Sequence, residues 1–250
     1  VTRRPLRRHD EGMSLPELLV SMILLGVVLI AVTSLSIGFM RTNQQSINRQ
    51  EQIDSARTAT ERMAKTLRTA IMPSQLTASC TGACAVDAFV VGQDFTVQFY
   101  ANLENPGNTV GPSKVTYTVV TGADGVRSLV EKVQVPDSAT PTEAGYVYCN
   151  AEAAGATPEC RAHLSTRTLA KGVQITAPLF NYYSAASSTP LSPAASGGSL
   201  TVASLSKVLA IELHVTVQLP SSVQAGPTTY IQRITLPNAQ AVLPSTEVVP

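Results

Sequence analysis

Four cysteines, Cys80, Cys84, Cys149 and Cys160, are the side chains of this chain best equipped for covalent chemistry. Thiols close disulfides, hold metals or attack substrates, and spacing separates these uses. No pair has the Cys-x-x-Cys spacing of a zinc site, and the histidines beyond the first dozen residues, His163 and His214, lie outside any ligand motif. An even number of cysteines on the outer side of a membrane favours disulfides. Three pairings are open, and proximity favours Cys80 with Cys84 across CTGAC and Cys149 with Cys160 across CNAEAAGATPEC. The second bridge would pin a 12-residue loop and add about 2 to 3 kcal/mol.

Catalytic constellations are thin. The chain has no Gly-rich phosphate loop, no His-Glu-x-x-His and no Gly-x-Ser-x-Gly elbow. His214 alternates with apolar residues and reads as a surface histidine of a strand. These features predict a non-enzymatic protein with no catalytic residues, no metal and no cofactor.

Glu17 poses a different chemical problem. It is the single charged side chain between Met13 and Met40, and a carboxylate near the start of a membrane-length apolar run is costly unless paired or solvated at the interface. The run from Leu18 to Met40 is 23 residues, which spans roughly 34 Å as a helix, close to the hydrocarbon thickness of about 30 Å. A cleaved secretory signal has a shorter apolar core, about 7 to 15 residues. Arg3, Arg4, Arg7 and Arg8 precede the run, so the positive-inside tendency places residues 1–12 in the cytoplasm and 41–250 outside, with Arg41 and Arg49 reducing the contrast.

The elements around these residues follow from periodicity. Ile53, Ala56, Thr60, Met63, Leu67, Ala70 and Ile71 recur at helical spacing, while Arg57 with Glu61 and Glu61 with Lys65 form i,i+4 pairs on the other side. Pro73 stops this pattern, which predicts one helix from about Met13 to Met72. Beyond it, residues 87–103, 113–122, 126–135, 172–183, 207–219 and 228–236 are β-branched, partly alternating segments bounded by turn residues. Asp124-Gly125 predicts a hairpin turn. In 211–218, Ile211, Leu213, Val215 and Val217 alternate with Glu212, His214, Thr216 and Gln218, as in a sheet covered on one face. The covering element would be the second half of the long helix.

The fold class is therefore α+β, a long N-terminal helix on an antiparallel β-rich domain. The expected organisation is a basic leader at 1–12, a transmembrane or filament-core helix at 13–40 and its amphipathic continuation at 41–72. A β-rich head follows at 73–236, with a Ser/Ala/Pro/Gly-rich loop at 184–206, and a tail at 237–250. Residues 73–250 carry eight Lys/Arg against eleven Asp/Glu, so electrostatics predict no specific nucleic acid partner.

The segment EGMSLPELLVSMILLG resembles the N-terminal signal of type IV pilins and of type II secretion pseudopilins. It has a short basic leader, Gly12 before the cut, Met13 after it, a Ser-Leu pair, and Glu17 as fifth residue of the mature chain, then an apolar helix. SARTATERMAKTLRTAI, the DGVRSLVEKV hairpin and LAKGVQITAPLFNYY resemble minor subunits of the PulJ/GspJ and PilW kind. The resemblance implies cleavage between Gly12 and Met13 by a prepilin peptidase, N-methylation of Met13, and Glu17 acting in subunit assembly. Implied partners are other major and minor pilins or pseudopilins, the inner membrane platform of the assembly machine, and membrane lipid. The implied location is a single-pass inner membrane protein with its N-terminus inside, incorporated into a periplasmic or cell-surface filament. Pro16 departs from a usual helix interior, but in a first turn it removes an N–H that has no helical acceptor. Two other classes compete: a tip adhesin or DNA-uptake binding subunit, and a single-pass anchored receptor or enzyme.

Overall fold

From Leu15 the backbone is helical without a break to Leu67, forming α1. The computed structural model describes residues 14–77, 80, 84, 86–103, 105–184, 188–191, 198–219 and 225–237, and the chain divides into two compact units, 1–47 and 48–250. The leader, Gly12, Met13 and the tail beyond Pro237 lie outside the described residues.

In the first unit, α1 is apolar all round from Leu18 to Met40 and exposed on nearly every residue. Several of its hydroxyls turn back on the helix itself. Ser21 donates to the Glu17 carbonyl, Thr33 to Leu29, Ser36 to Val32 and Thr42 to Gly38. With these hydroxyls satisfied four residues back, their protons need no water. The helix is long and apolar enough to cross a membrane.

In the second unit the same helix has two faces. Gln52, Ala56, Ala59, Thr60, Met63, Ala64, Thr66 and Leu67 are buried, while Arg57 and Glu61 pair in solvent at 2.7 Å. Ile53, expected on the buried stripe, is 39% exposed, and Gln52 is fully buried in its place. The reason is a partner: Gln52 Oε1 accepts from Thr228 Oγ1 at 3.2 Å, so a polar side chain can occupy the seam.

Helix α1 stops before the expected Met72 because the next backbone groups find strand partners. Ile71 donates to the Tyr100 carbonyl, Asn102 donates to the Thr69 carbonyl, and Ala70 bridges Ala101. Pro73 then opens a single 3-10 turn, Pro73–Gln75.

Among the described residues eight strands build two antiparallel sheets. The first has five strands in the order β1 (Phe89–Gly92), β2 (Thr96–Ala101), β3 (Ser113–Thr121), β4 (Arg127–Gln134) and β5 (Leu164–Lys171). The second has three, β6 (Phe180–Tyr183), β7 (Ala210–Val217) and β8 (Thr228–Thr235). The segment 87–103 folds into the β1–β2 hairpin, and Asp124-Gly125 turns β3 into β4 with Gly125 at φ 74°. The segment 172–183 is strand only at its end, in β6.

Strand β5 has no counterpart among the expected segments. As the edge of its sheet it exposes Ser165, Thr166, Arg167 and Thr168, so the alternation that marks a half-buried strand is missing. Of the loop expected at 184–206, residues 185–187 and 192–197 lie outside the described residues, and the described remainder includes a short helix. Short helix α2 spans Pro158–Ala162, and α3, Val202–Leu205, falls inside that loop. There Leu200 and Leu205 are buried against the site of Gly92, where an added Cβ would come within 3.0 Å of the Leu205 side chain.

One apolar core joins Met63 and Leu67 of α1, Phe99, Tyr117 and Leu129 of the larger sheet, and Phe180, Tyr182, Ile211, Leu213 and Ile234 of the smaller one. The expected alternation in β7 is present, with Ile211, Leu213, Val215 and Val217 buried. Among the described residues a single carboxylate enters this core. Glu131 of β4 is 2% exposed and accepts from Tyr117 Oη at 2.8 Å, Arg62 Nη2 at 3.1 Å and Thr66 Oγ1 at 3.5 Å. Two of these partners ride on α1, so the network fixes helix to sheet as well as satisfying the buried charge.

Candidate functional site

The site begins where α1 begins. The Ser14 carbonyl accepts from the N–H of Glu17 at 3.0 Å and of Leu18 at 3.2 Å. Pro16 sits in this first turn, where its missing N–H interrupts no helical bond. Glu17 thereby projects from the end of the helix that carries the partial positive charge, an arrangement that favours a carboxylate. Around it Leu15 is 80%, Leu18 48%, Leu19 54% and Val20 55% exposed.

Two features of this geometry bear on chemistry. The apolar surface of residues 15–40 is not covered within the described chain, and surface of this extent needs lipid or other apolar helices around it. Among the described residues no ion pair includes Glu17, and Ser21 engages its backbone carbonyl instead of its carboxylate. The arrangement displays one anionic group, at one depth, on a surface made for burial. A cation from outside the described chain would be its natural complement.

The cysteines are joined as Cys80–Cys84, with Cα atoms 5.0 Å apart, and Cys149–Cys160, 5.9 Å apart. The second bridge closes the loop that leads into α2, whose first turn is capped by Thr157 accepting from the Cys160 N–H. Both bridges are structural clamps of the second unit.

Asp137, Cys149 and His163 bring three potential metal-ligand atoms within 4.8 Å of one another. Cys149 is committed to its disulfide, which leaves no thiolate to bind a cation, and His163 Nδ1 already meets Asp137 Oδ1 at 3.2 Å. His214, expected at the surface of a strand, pairs through Nε2 with Glu212 Oε1 at 2.7 Å on the same strand. The Tyr183 hydroxyl donates to that carboxylate at 3.3 Å, and the Arg233 guanidinium stacks on the Tyr183 ring at 3.8 Å. This cluster links three neighbouring strands on one face of the smaller sheet.

Two residues of consequence escaped sequence reasoning. Glu131 shares strand parity with Leu129 and Val133, an inward phase that marks it as a buried carboxylate. Lys114, half-buried on β3, has no comparable signal because its environment is made by a distant loop.

Comparison with known proteins bears on the N-terminus. Residues 7–33 match the family model described as the prokaryotic N-terminal methylation motif. No curated protein and no solved structure matches the chain. The matched span contains Gly12, Met13 and Glu17 and supports a type IV pilin-like prepilin signal, in a motif family that is structural. The motif and the apolar helix together fit a single-pass inner membrane protein.

Proposed function

We propose that this chain, carrying a prepilin-type signal, is a minor pilin or pseudopilin that helps to initiate or cap a type IV pilus-like or type II secretion filament. A prepilin peptidase cuts between Gly12 and Met13, and the new terminus of Met13 is N-methylated. The head lies outside the inner membrane, and α1 holds the subunit in lipid until the assembly platform passes it to its major and minor neighbours. The protein acts as a structural subunit and performs no catalysis of its own.

The observation that carries this reading is the position of Glu17 inside the matched motif, in the first turn of a helix whose residues 15–40 are not buried. In a bundle of such helices the α-amino group of each mature chain is a cation removed from water, and Glu17 of a neighbour is the carboxylate that can pair with it. Each charge alone would resist burial. Together they favour one axial register, because a helix shifted by a turn leaves both unpaired.

N-terminal sequencing and intact mass of the membrane-extracted protein, from cells with and without an active prepilin peptidase, test the reading. The expected result is a chain beginning at methylated Met13 only where the peptidase is active. An uncut chain in both cells would overturn it and leave a membrane-anchored receptor or enzyme.

A further inference from the structure

A cleft of about 260 Å³ opens on the outer face of the five-stranded sheet. Register places Gln98, Thr116 and Lys132 side by side across β2, β3 and β4, and sets Lys114 beside Gln134 in the next row. All five share the face opposite the core, since they alternate with Val97, Phe99, Val115, Tyr117 and Val133, which face it. Tyr148 and the loop 149–152 form the wall. Gln134 Nε2 donates to the Cys149 carbonyl, and the Cys149–Cys160 bridge closes the loop behind it. The Tyr148 hydroxyl donates to the Pro112 carbonyl at 2.6 Å, which fixes the ring.

The charges in this cleft are unequal. Lys132 is neutralised by Glu152 at 2.6 Å. Lys114 instead places its Nζ 4.4 Å from the centre of the Tyr148 ring, and among the described residues no carboxylate comes within ion-pair distance of it. Asp137, whose field favours the Lys114 charge, is bonded to His163. Burial pushes the Lys114 ammonium below its ordinary pKa in spite of Asp137, so the charge is held there at a cost to the fold. Beside it the Thr116 hydroxyl accepts from Gln98 Nε2 at 2.8 Å and keeps its own proton to donate.

We propose that this cleft binds a carboxylate, with the Lys114 ammonium as its charge partner and the Thr116 hydroxyl as a neutral donor. One uncompensated positive charge matches one negative charge. A phosphate dianion would bring a second charge against Glu152, and the cleft offers no guanidinium fork for it. The Tyr148 ring gives the methylenes of an acidic side chain an apolar wall. An aspartate or glutamate of another polypeptide and a free organic acid share this chemistry. The inference concerns the second unit alone and does not depend on the filament reading.

The test titrates the full-length protein, in detergent micelles, with a fluorescent glycine-rich peptide carrying glutamates and with its glutamine twin, followed by anisotropy. Wild type is expected to bind the glutamate peptide and not the twin. Lys114→Gln should weaken binding about tenfold or more, Thr116→Val by a smaller factor, and Lys114→Arg least. Lys207→Gln, outside the cleft, should change nothing. Competition by glutarate at equal carboxylate concentration assigns the site to free acids, and its failure to compete assigns the site to polypeptides; both outcomes support carboxylate binding. Equal binding of the two peptides, unchanged affinity in folded Lys114→Gln and Thr116→Val, or no binding of peptide or glutarate by wild type would overturn it. Near-UV circular dichroism verifies that each variant is folded.

Discussion

Residues 15–40 and 48–67 are two stretches of one helix, α1, that meet different surroundings. The first presents Leu, Val, Ile and Met on every side and has none of them buried. The second buries one narrow stripe, in which Ala56, Ala59 and Ala64 stand beside Met63 and Leu67, and leaves Arg57, Glu61 and Ile53 in solvent. Small residues let a helix lie close to a sheet, whereas a helix without a polar face has nothing to offer water. The carboxylates repeat the contrast. Glu131 gathers Tyr117, Arg62 and Thr66 from its own chain, and Glu17 has no ion-pair partner among the described residues. The chain meets one charge from within; in the proposed filament a neighbouring molecule would meet the other.

The sharpest way to break this contrast is Glu17→Ala. If the first part of α1 works between molecules, this variant should be cut and inserted normally yet drop out of purified filaments, as read by immunoblot of sheared or periplasmic fractions. Thermal unfolding of the second unit should be unchanged. Normal incorporation would mean that Glu17 is solvated at the membrane interface and takes no part in register.

Glu131→Ala should do the reverse. It strands the Tyr117 hydroxyl in the core and removes the acceptor of Arg62, with an expected loss of about 3 kcal/mol in urea unfolding. Arg62 is itself 42% exposed on its side chain, so water recovers part of what it loses. Glu131→Gln, which still accepts from Tyr117, should lose less. A smaller effect, about 2 to 3 kcal/mol, is expected from the paired Cys149→Ser and Cys160→Ser change, since it frees a loop of modest length in the unfolded chain.

Alkaline pH sharpens the comparison further, because the buried tyrosines belong to the second unit. Burial raises the pKa of Tyr117, Tyr148 and Tyr182 above the ordinary value near 10. At Tyr117 the Glu131 charge adds to the effect. The folded state therefore holds these protons where the unfolded chain has released them. Their contribution is fully present below pH about 10 and is lost as pH rises above it. Tyrosinate absorbance should appear late for these rings and together with the loss of near-UV circular dichroism. Full ionisation at pH near 10 with the fold intact would show that the rings are solvated.

Legibility in the sequence followed from how local each determinant is. The apolar run and its single glutamate need no tertiary information, since a bilayer or helix bundle reads length and hydropathy directly. The alternation in β7 and the turn at Asp124-Gly125 were likewise visible, because period-2 burial and a positive φ leave local marks. Strand β5 left no such mark, being an edge whose side chains face solvent. Leu200 and Leu205 were hidden in a serine- and alanine-rich stretch, and their burial depends on Gly92, far away in the chain.

Residue types and spacings suffice for the membrane-length helix, for Glu17 at its start, for the α+β class and for the short cysteine separations. Each rests on interactions between residues close in the chain or between a segment and its solvent. The tertiary structure alone decided that Gln52 and not Ile53 would face the core, that Glu131 would meet Arg62 across 69 positions of chain, and that Lys114 would lie beneath Tyr148. Those outcomes depend on strand register and on a loop closed by a disulfide. Residue type and spacing along one segment carry no record of which distant groups will arrive beside it.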